Sequence, residues 1–267
     1  MTENDVQGNE FDGADLTGAR FRKTQLNDAR FRMCDLSGVV MRDLSLSGAS
    51  IDGCEIDGLL INGVEVAPLI EAELTRREPA RALRRSSDAA GLQAGWVALG
   101  KSWSALYEKV AAMPAGTPDV SVAQEWSFAE TLRHLVFATD AWLGAVKGED
   151  KPFHPWGMPF TELTEFSGRL PGEIGIDVDA RPPYDAVLDL RADRVEKVRR
   201  FLAEVSPEEL EVEGEGPFWE NGQRFRAIRC LWVILNEECE HLRFAQRDLA
   251  LIEAGSPLVA TNLVARG

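Results

Sequence analysis

Every fifth residue from Phe11 to Val66 is apolar: Phe11, Leu16, Phe21, Leu26, Phe31, Leu36, Met41, Leu46, Ile51, Ile56, Ile61 and Val66, twelve positions without a miss. Two places ahead of each runs a second series, from Asn9, Ala14, Ala19 and Thr24 through Cys34 and Cys54 to Val64, most of them small or apolar. The positions between are mainly Asp, Arg, Ser, Asn and Gly. A period of five matches neither the 3.6 of a helix nor the 2 of a strand. Such a chain must turn a corner every five residues, with two side chains per corner directed to one interior. Cys34 and Cys54 fall in the small inward series, so packing is expected to account for them.

With stretches such as Ala14-Asp15-Leu16-Thr17-Gly18 and Ala29-Arg30-Phe31-Arg32-Met33, residues 1–67 closely resemble the pentapeptide-repeat family. The resemblance implies a right-handed quadrilateral β-solenoid, three coils at four repeats per coil. Its inward positions are apolar and it has no His, so it reads as a structural or partner-binding module.

Residues 68–85 read as a connector helix broken near Pro79, where the ring clashes and the amide is missing. Helical periodicity takes over after Ser86-Ser87-Asp88, with apolar Leu92, Trp96, Leu99, Trp103, Leu106 and Val110. Further helices are expected over about 122–146, 184–205 and 225–253, the last stopped by Gly255. Four helices of this length suit an all-α four-helix bundle over 86–267. The chain is thus expected to be multidomain, a β-solenoid followed by a bundle. The link from Lys147 to Pro183 is longer than helix connections require. Because it carries Phe153, Trp156 and Phe160, it reads as a packed flap.

The chain of 267 residues carries 29 Lys+Arg against 44 Asp+Glu, a net charge of −15. That charge repels phosphate backbones and anionic surfaces, so neither nucleic acid nor membrane is an expected partner. No apolar run reaches the roughly 18 residues of a membrane span, and the first ten residues lack the cationic and apolar parts of a signal peptide. A cytoplasmic address is expected. The four cysteines form no CxxC pair, which points to reduced thiols. Arg outnumbers Lys 23 to 6, a bias that suits a high-GC bacterium.

The chain has three histidines. His134 lies mid-way along the second expected helix, off its main apolar stripe and toward Ala138, Ala141 and Ala145. His241 lies on the fourth, one turn after Glu237, and side chains four apart on a helix can reach one cation. Two readings stand on the residues alone. All three groups face solvent, or they line a groove floored by alanines as a metal site with open positions, the arrangement of catalytic centres. Glu130, one turn before His134, is a further candidate to orient it or to replace Glu237. His154 and Trp156, in Lys151-Pro152-Phe153-His154-Pro155-Trp156, are candidate substrate-binding residues on the flap.

Residues 86–255 resemble the DinB superfamily of four-helix metalloproteins. The matching pieces are Trp126-Ser127 ahead of Leu132-Arg133-His134-Leu135, and Asn236-Glu237-Glu238-Cys239-Glu240-His241-Leu242-Arg243 with Asp248-Leu249 following. Glu at the first position of the pair is similar to the mycothiol-dependent maleylpyruvate isomerase branch. That resemblance implies a zinc ion on His134, Glu237 and His241, although ligand type separates zinc from nickel or iron only weakly. It further implies a low-molecular-weight thiol such as mycothiol, activated for addition to an electrophile. The alternative from another class is a non-catalytic binding or scaffolding protein whose solenoid recognises a protein partner, with a vestigial metal site.

Overall fold

The computed structural model describes residues 10–149, 152–256 and 258–259. Asn9, the rest of the N-terminal stretch 1–9, Lys151 and the tail 260–267 of the second expected domain lie outside them. The chain divides into two units, Met1–Ile51 and Asp52–Gly267.

The five-residue period is written into the backbone. Eleven successive fifth positions, from Gly13, Gly18 and Lys23 to Gly58 and Gly63, have φ between 52° and 80°. At every second corner a carbonyl (Leu16, Leu26, Leu36, Leu46, Ile56) accepts the amide three residues on, at 2.9–3.2 Å. A positive φ at the third residue of such a turn makes it type II, which favours the Gly found at Gly18, Gly38 and Gly48. Asp15 and Asp35 brace their turns by accepting the amides of Thr17 and Ser37.

The expected coil stack is not formed. No strand occurs among the described residues before Leu60, and the apolar series of the first unit stands in solvent, from 47% exposed at Leu16 to 65% at Phe21. The reason is physical: a corner needs only local φ preference and a turn hydrogen bond, whereas a solenoid core needs one coil to roof the next. Without that ladder the series has nothing to bury against. Cys34 and Cys54 are likewise exposed rather than packed, and their thiols donate to the Arg32 and Asp52 carbonyls at 3.3 Å.

The second unit opens on a hairpin in place of the last repeats. Strand β1 (Leu60–Ile61) pairs antiparallel with β2 (Val64–Glu65) across Asn62-Gly63, both with positive φ, the chemistry of a type I′ turn. Helix α1 (Ala67–Arg77) follows and stops before a 3₁₀ turn at Pro79–Leu83, as the proline requires. Helix α2 (Ala89–Ala111) is capped by Asp88, whose side chain accepts the Gly91 amide, and buries the six apolar residues of its stripe.

Helix α3 (Phe128–Lys147) starts six residues later than the apolar pattern suggests. Ala123 and Gln124 turn the chain with positive φ, and Ser127 and Glu130 form a capping box that begins the helix. Glu130 is therefore a cap: its carboxylate accepts the Ser127 amide at 3.0 Å. From Thr131 to Ala141 every residue of α3 is buried.

The Lys147–Pro183 link holds a short helix, α4 (Leu163–Ser167), and a 3₁₀ turn at Pro171–Ile174. Its Phe153, Phe160, Leu163 and Ile176 pack on Phe137 of α3 together with Phe218 and Trp219. Helix α5 (Tyr184–Glu204) and the short α6 (Pro207–Leu210) follow. A hairpin unseen in the hydrophobic pattern, β3 (Glu213–Glu215) with β4 (Arg224–Arg226), sets Glu213 opposite Arg226 and Glu215 opposite Arg224, cross-strand pairs of opposite charge. Helix α7 (Ala227–Glu253) ends with Gly255 at φ 61°.

The four long helices share one core, with α3 against α5 and α7, and α2 against the same two. Each fully buried Leu there, such as Leu92, Leu132 or Leu235, contributes about 1.5–3 kcal/mol. The inward stripe of α5 reads Val187, Arg191, Arg194, Val198 and Leu202, so two cations enter the core. Each meets a carboxylate there: Arg194 grips Asp140 at 2.8 and 3.1 Å, and Arg191 contacts Glu238. No helix among the described residues is long and apolar enough to cross a membrane.

Candidate metal centre

Helices α3 and α7 bring together His134, Glu237 and His241, with one donor atom from each within 4.8 Å of the others. One oxygen, Glu237 Oε2, lies 3.4 Å from His134 Nε2 and 3.2 Å from His241 Nε2. None of the three simply faces solvent. His134 is 6% exposed, with the Met158 carbonyl of the Lys147–Pro183 link against its Nδ1 and the Trp126 ring beside it. Solvent reaches the cluster on the side of Glu237, whose side chain is 29% exposed.

The electrostatics follow from this geometry. Burial pushes the Glu237 carboxyl up, but hydrogen bonds and charge from His134 and His241 overcome it and hold the group well below the usual carboxylate range. Burial pushes the His241 imidazole down, with Glu237 opposing only in part, which favours the neutral ring that a metal ligand must be.

The Met158 carbonyl lies 2.9 Å from His134 Nδ1. A carbonyl only accepts, so Nδ1 carries the proton and Nε2 faces the carboxylate. Oxygen and ring nitrogens thus converge on one point that needs a proton or a cation between them. A single divalent ion suits all three donors at once, and two His with one carboxylate leave further coordination positions open. Aromatic rings wall the cluster: Trp126 is 4.5 Å from the His134 ring and 6.1 Å from that of His241. Phe137 and Phe244 flank the two histidines at 6.0 and 5.6 Å.

A family model described as DinB superfamily matches residues 66–245. The chain belongs to the DinB superfamily. Ahead of the DinB domain, a model described as pentapeptide repeats matches in eight copies over residues 10–43 and 21–58. No curated protein and no solved structure matches the chain. DinB domains generally bind metal, and His134, Glu237 and His241 form a candidate metal site in this one.

The substrate-binding candidates His154 and Trp156 lie elsewhere in the DinB domain. The His154 amide donates to Asp140 at 3.0 Å, and its Nδ1 accepts the Trp156 amide at 3.1 Å. Burial and the nearby Arg194 push the His154 imidazole down. Among the described residues neither His154 nor Trp156 hydrogen-bonds or stacks with the three clustered groups. Cys239 is buried in the core and its thiol is pushed up to about 12 by burial. The Met158 carbonyl escaped sequence reasoning, and Trp126 entered it only as part of a motif, not as a wall of the cluster. Trp126 has a sequence signal, one residue ahead of the cap of α3; a backbone carbonyl has none.

Proposed function

We propose that this DinB protein is a divalent-metal-dependent thiol transferase, its ion being zinc, that adds a low-molecular-weight thiol such as mycothiol to an electrophile. The observation that carries the reading is the convergence of His134 Nε2, His241 Nε2 and Glu237 Oε2 with the proton of His134 held away on Nδ1. Zinc held by these three would supply the charge that turns a bound thiol into thiolate near neutral pH.

The chain's own groups suit that chemistry. Glu237, held ionised in the cluster, would offset part of the charge of the ion. Trp126, Phe137 and Phe244 keep water to one side, and electrostatic contacts are stronger where water is excluded. The reading takes the nucleophile from an external thiol; burial pushes the core thiols Cys230 and Cys239 up to about 11 and about 12, which disfavours their thiolates. The reading keeps His154 and Trp156 as substrate contacts, and it takes the four long helices as the four-helix bundle of the DinB type. The glutamate between two histidines, as in the mycothiol-dependent maleylpyruvate isomerase branch, supports the choice of thiol.

Elemental analysis of the purified protein, followed by incubation with mycothiol and a general electrophile, tests the proposal. One equivalent of zinc and metal-dependent consumption of thiol are expected. A protein that takes up no divalent metal, or that consumes no thiol when loaded, overturns it.

A further inference from the structure

Arg133 is 2% exposed, and among the described residues no carboxylate lies within ion-pair distance of it. A guanidinium is costly to bury without a counter-charge. This one is satisfied by backbone alone: Nε donates to the Trp156 carbonyl at 2.8 Å, Nη1 to Ala180 at 2.9 Å and Nη2 to Asp177 at 3.4 Å. Its planar fork therefore gathers three carbonyls from two stretches of the link that lie more than twenty residues apart.

Those stretches are also tied to each other and to α3. The Asp177 amide donates to the Pro155 carbonyl at 2.8 Å, and the Met158 amide to the carbonyl of Arg133 itself at 3.1 Å. Two turns along the same face of α3, Asp140 accepts the His154 amide while Arg194 holds its carboxylate. Residues 154–180 thus form a strap riveted to α3 at Arg133 and at Asp140. The strap approaches α3 so closely at Gly157 that a Cβ there would stand 3.2 Å from the His154 carbonyl and 3.4 Å from Phe137 Cβ.

Between the two rivets lies His134, and the carbonyl that meets its Nδ1 belongs to Met158, two residues after the Trp156 carbonyl that Arg133 grips. We infer that Arg133 is a positioning residue: by fixing the strap it presses the Met158 carbonyl onto Nδ1, keeps the proton there and leaves Nε2 to the cation. The inference rests on the metal reading of the cluster for its purpose, though not for its geometry. It gives the buried charge a function, since an apolar side chain in its place would fill the space and hold no carbonyl. Partners that orient a ligating imidazole typically contribute 10–100-fold in metal affinity.

The test uses Arg133→Gln and Arg133→Lys in the full chain, with two readouts. In ¹⁵N-labelled metal-free protein, His134 gives a hydrogen-bonded Nδ1–H signal that is lost to water exchange in Arg133→Gln. Zinc affinity, measured by competition with a chromophoric chelator, falls about 10–100-fold in Arg133→Gln and by less in Arg133→Lys, which keeps a donor. Should both variants fail to fold, Gly157→Ala displaces the strap without touching a charge and is read the same way. A folded variant that keeps both the Nδ1–H signal and the parental zinc affinity overturns the inference. A parent that binds no zinc but loses the signal on substitution overturns the proposed function and leaves the Arg133 contact standing.

Discussion

Glu237 and Glu238 are neighbours on α7, yet they enter two polar clusters of opposite character. Side chains one residue apart on a helix point about 100° from each other, so Glu237 reaches the wet cluster with His134 and His241 while Glu238 turns into the dry core. There it is 1% exposed and contacts Arg191. Burial pushes its carboxyl up, against the pull of Arg191, whereas the imidazoles drive Glu237 down. Among the described residues, Glu238 Oε2 and Arg191 Nε and Nη1 have no hydrogen-bond partner. The difference teaches which cluster serves what. Groups that converge on a shared point beside solvent are arranged for an exchangeable cation, and a one-to-one pair sealed in the core holds helices together.

The largest effect that can break this contrast is on folding. Glu238→Ala strands the Arg191 charge in the core and is expected to cost about 3–5 kcal/mol in urea denaturation. A loss below about 1 kcal/mol, the size of an exposed pair, would mean the pair is not structural. Next comes metal: His134→Ala, Glu237→Ala and His241→Ala should each drop zinc from one equivalent to about a tenth or less at fixed low free zinc, with the helical circular dichroism intact. Three variants that all keep a full equivalent would erase the distinction between the clusters.

A third carboxylate sharpens the comparison through pH. Burial raises the Asp52 carboxyl, but Arg243 and Arg247 of α7 prevail and hold it below its ordinary value. A depressed carboxyl stabilises fully above the unfolded value, about 3.9, and loses that contribution as pH falls through the folded one. The stability gap between the parent and Asp52→Asn should therefore be open near neutral pH and close in acid below about pH 4. A gap that stays constant down to that range would remove Asp52 from the ion pairs that matter. The smallest effect is expected at the strap: His154→Ala and Trp156→Ala should keep zinc and kcat while shifting KM for thiol or electrophile by about tenfold or less. Unchanged KM for both substrates moves recognition onto the helices.

What the sequence discloses here depends on how far each cause reaches. The stripe of α2, the stop at Gly255 and a corner at every fifth residue follow from neighbours within a few positions, and all were legible; that the corners are left-handed was not. The pairing of His134 with Glu237 and His241 was legible only through resemblance, since it spans more than a hundred residues. The exposure of Phe11 through Ile51 depends on whether coils pair, which no local pattern encodes. Arg191 and Arg194 look like surface residues until Glu238 and Asp140 come to meet them. Glu130 stood as a candidate to orient His134 or replace Glu237 because spacing alone does not separate a helix cap from a donor one turn from His134.

The continuous burial of α3 from Thr131 to Ala141 gives the candidate centre two unequal halves. Between Thr131 and Ala141 helix α3 has no free face, so the amides there are expected to be among the slowest of the domain to exchange with heavy water, and His134 shares that shelter. Glu237, by contrast, stands on the side that solvent reaches. An ion entering or leaving this centre would change partners first at the carboxylate and last at the sheltered imidazole, so that retention belongs to one helix and turnover of the ion to the other.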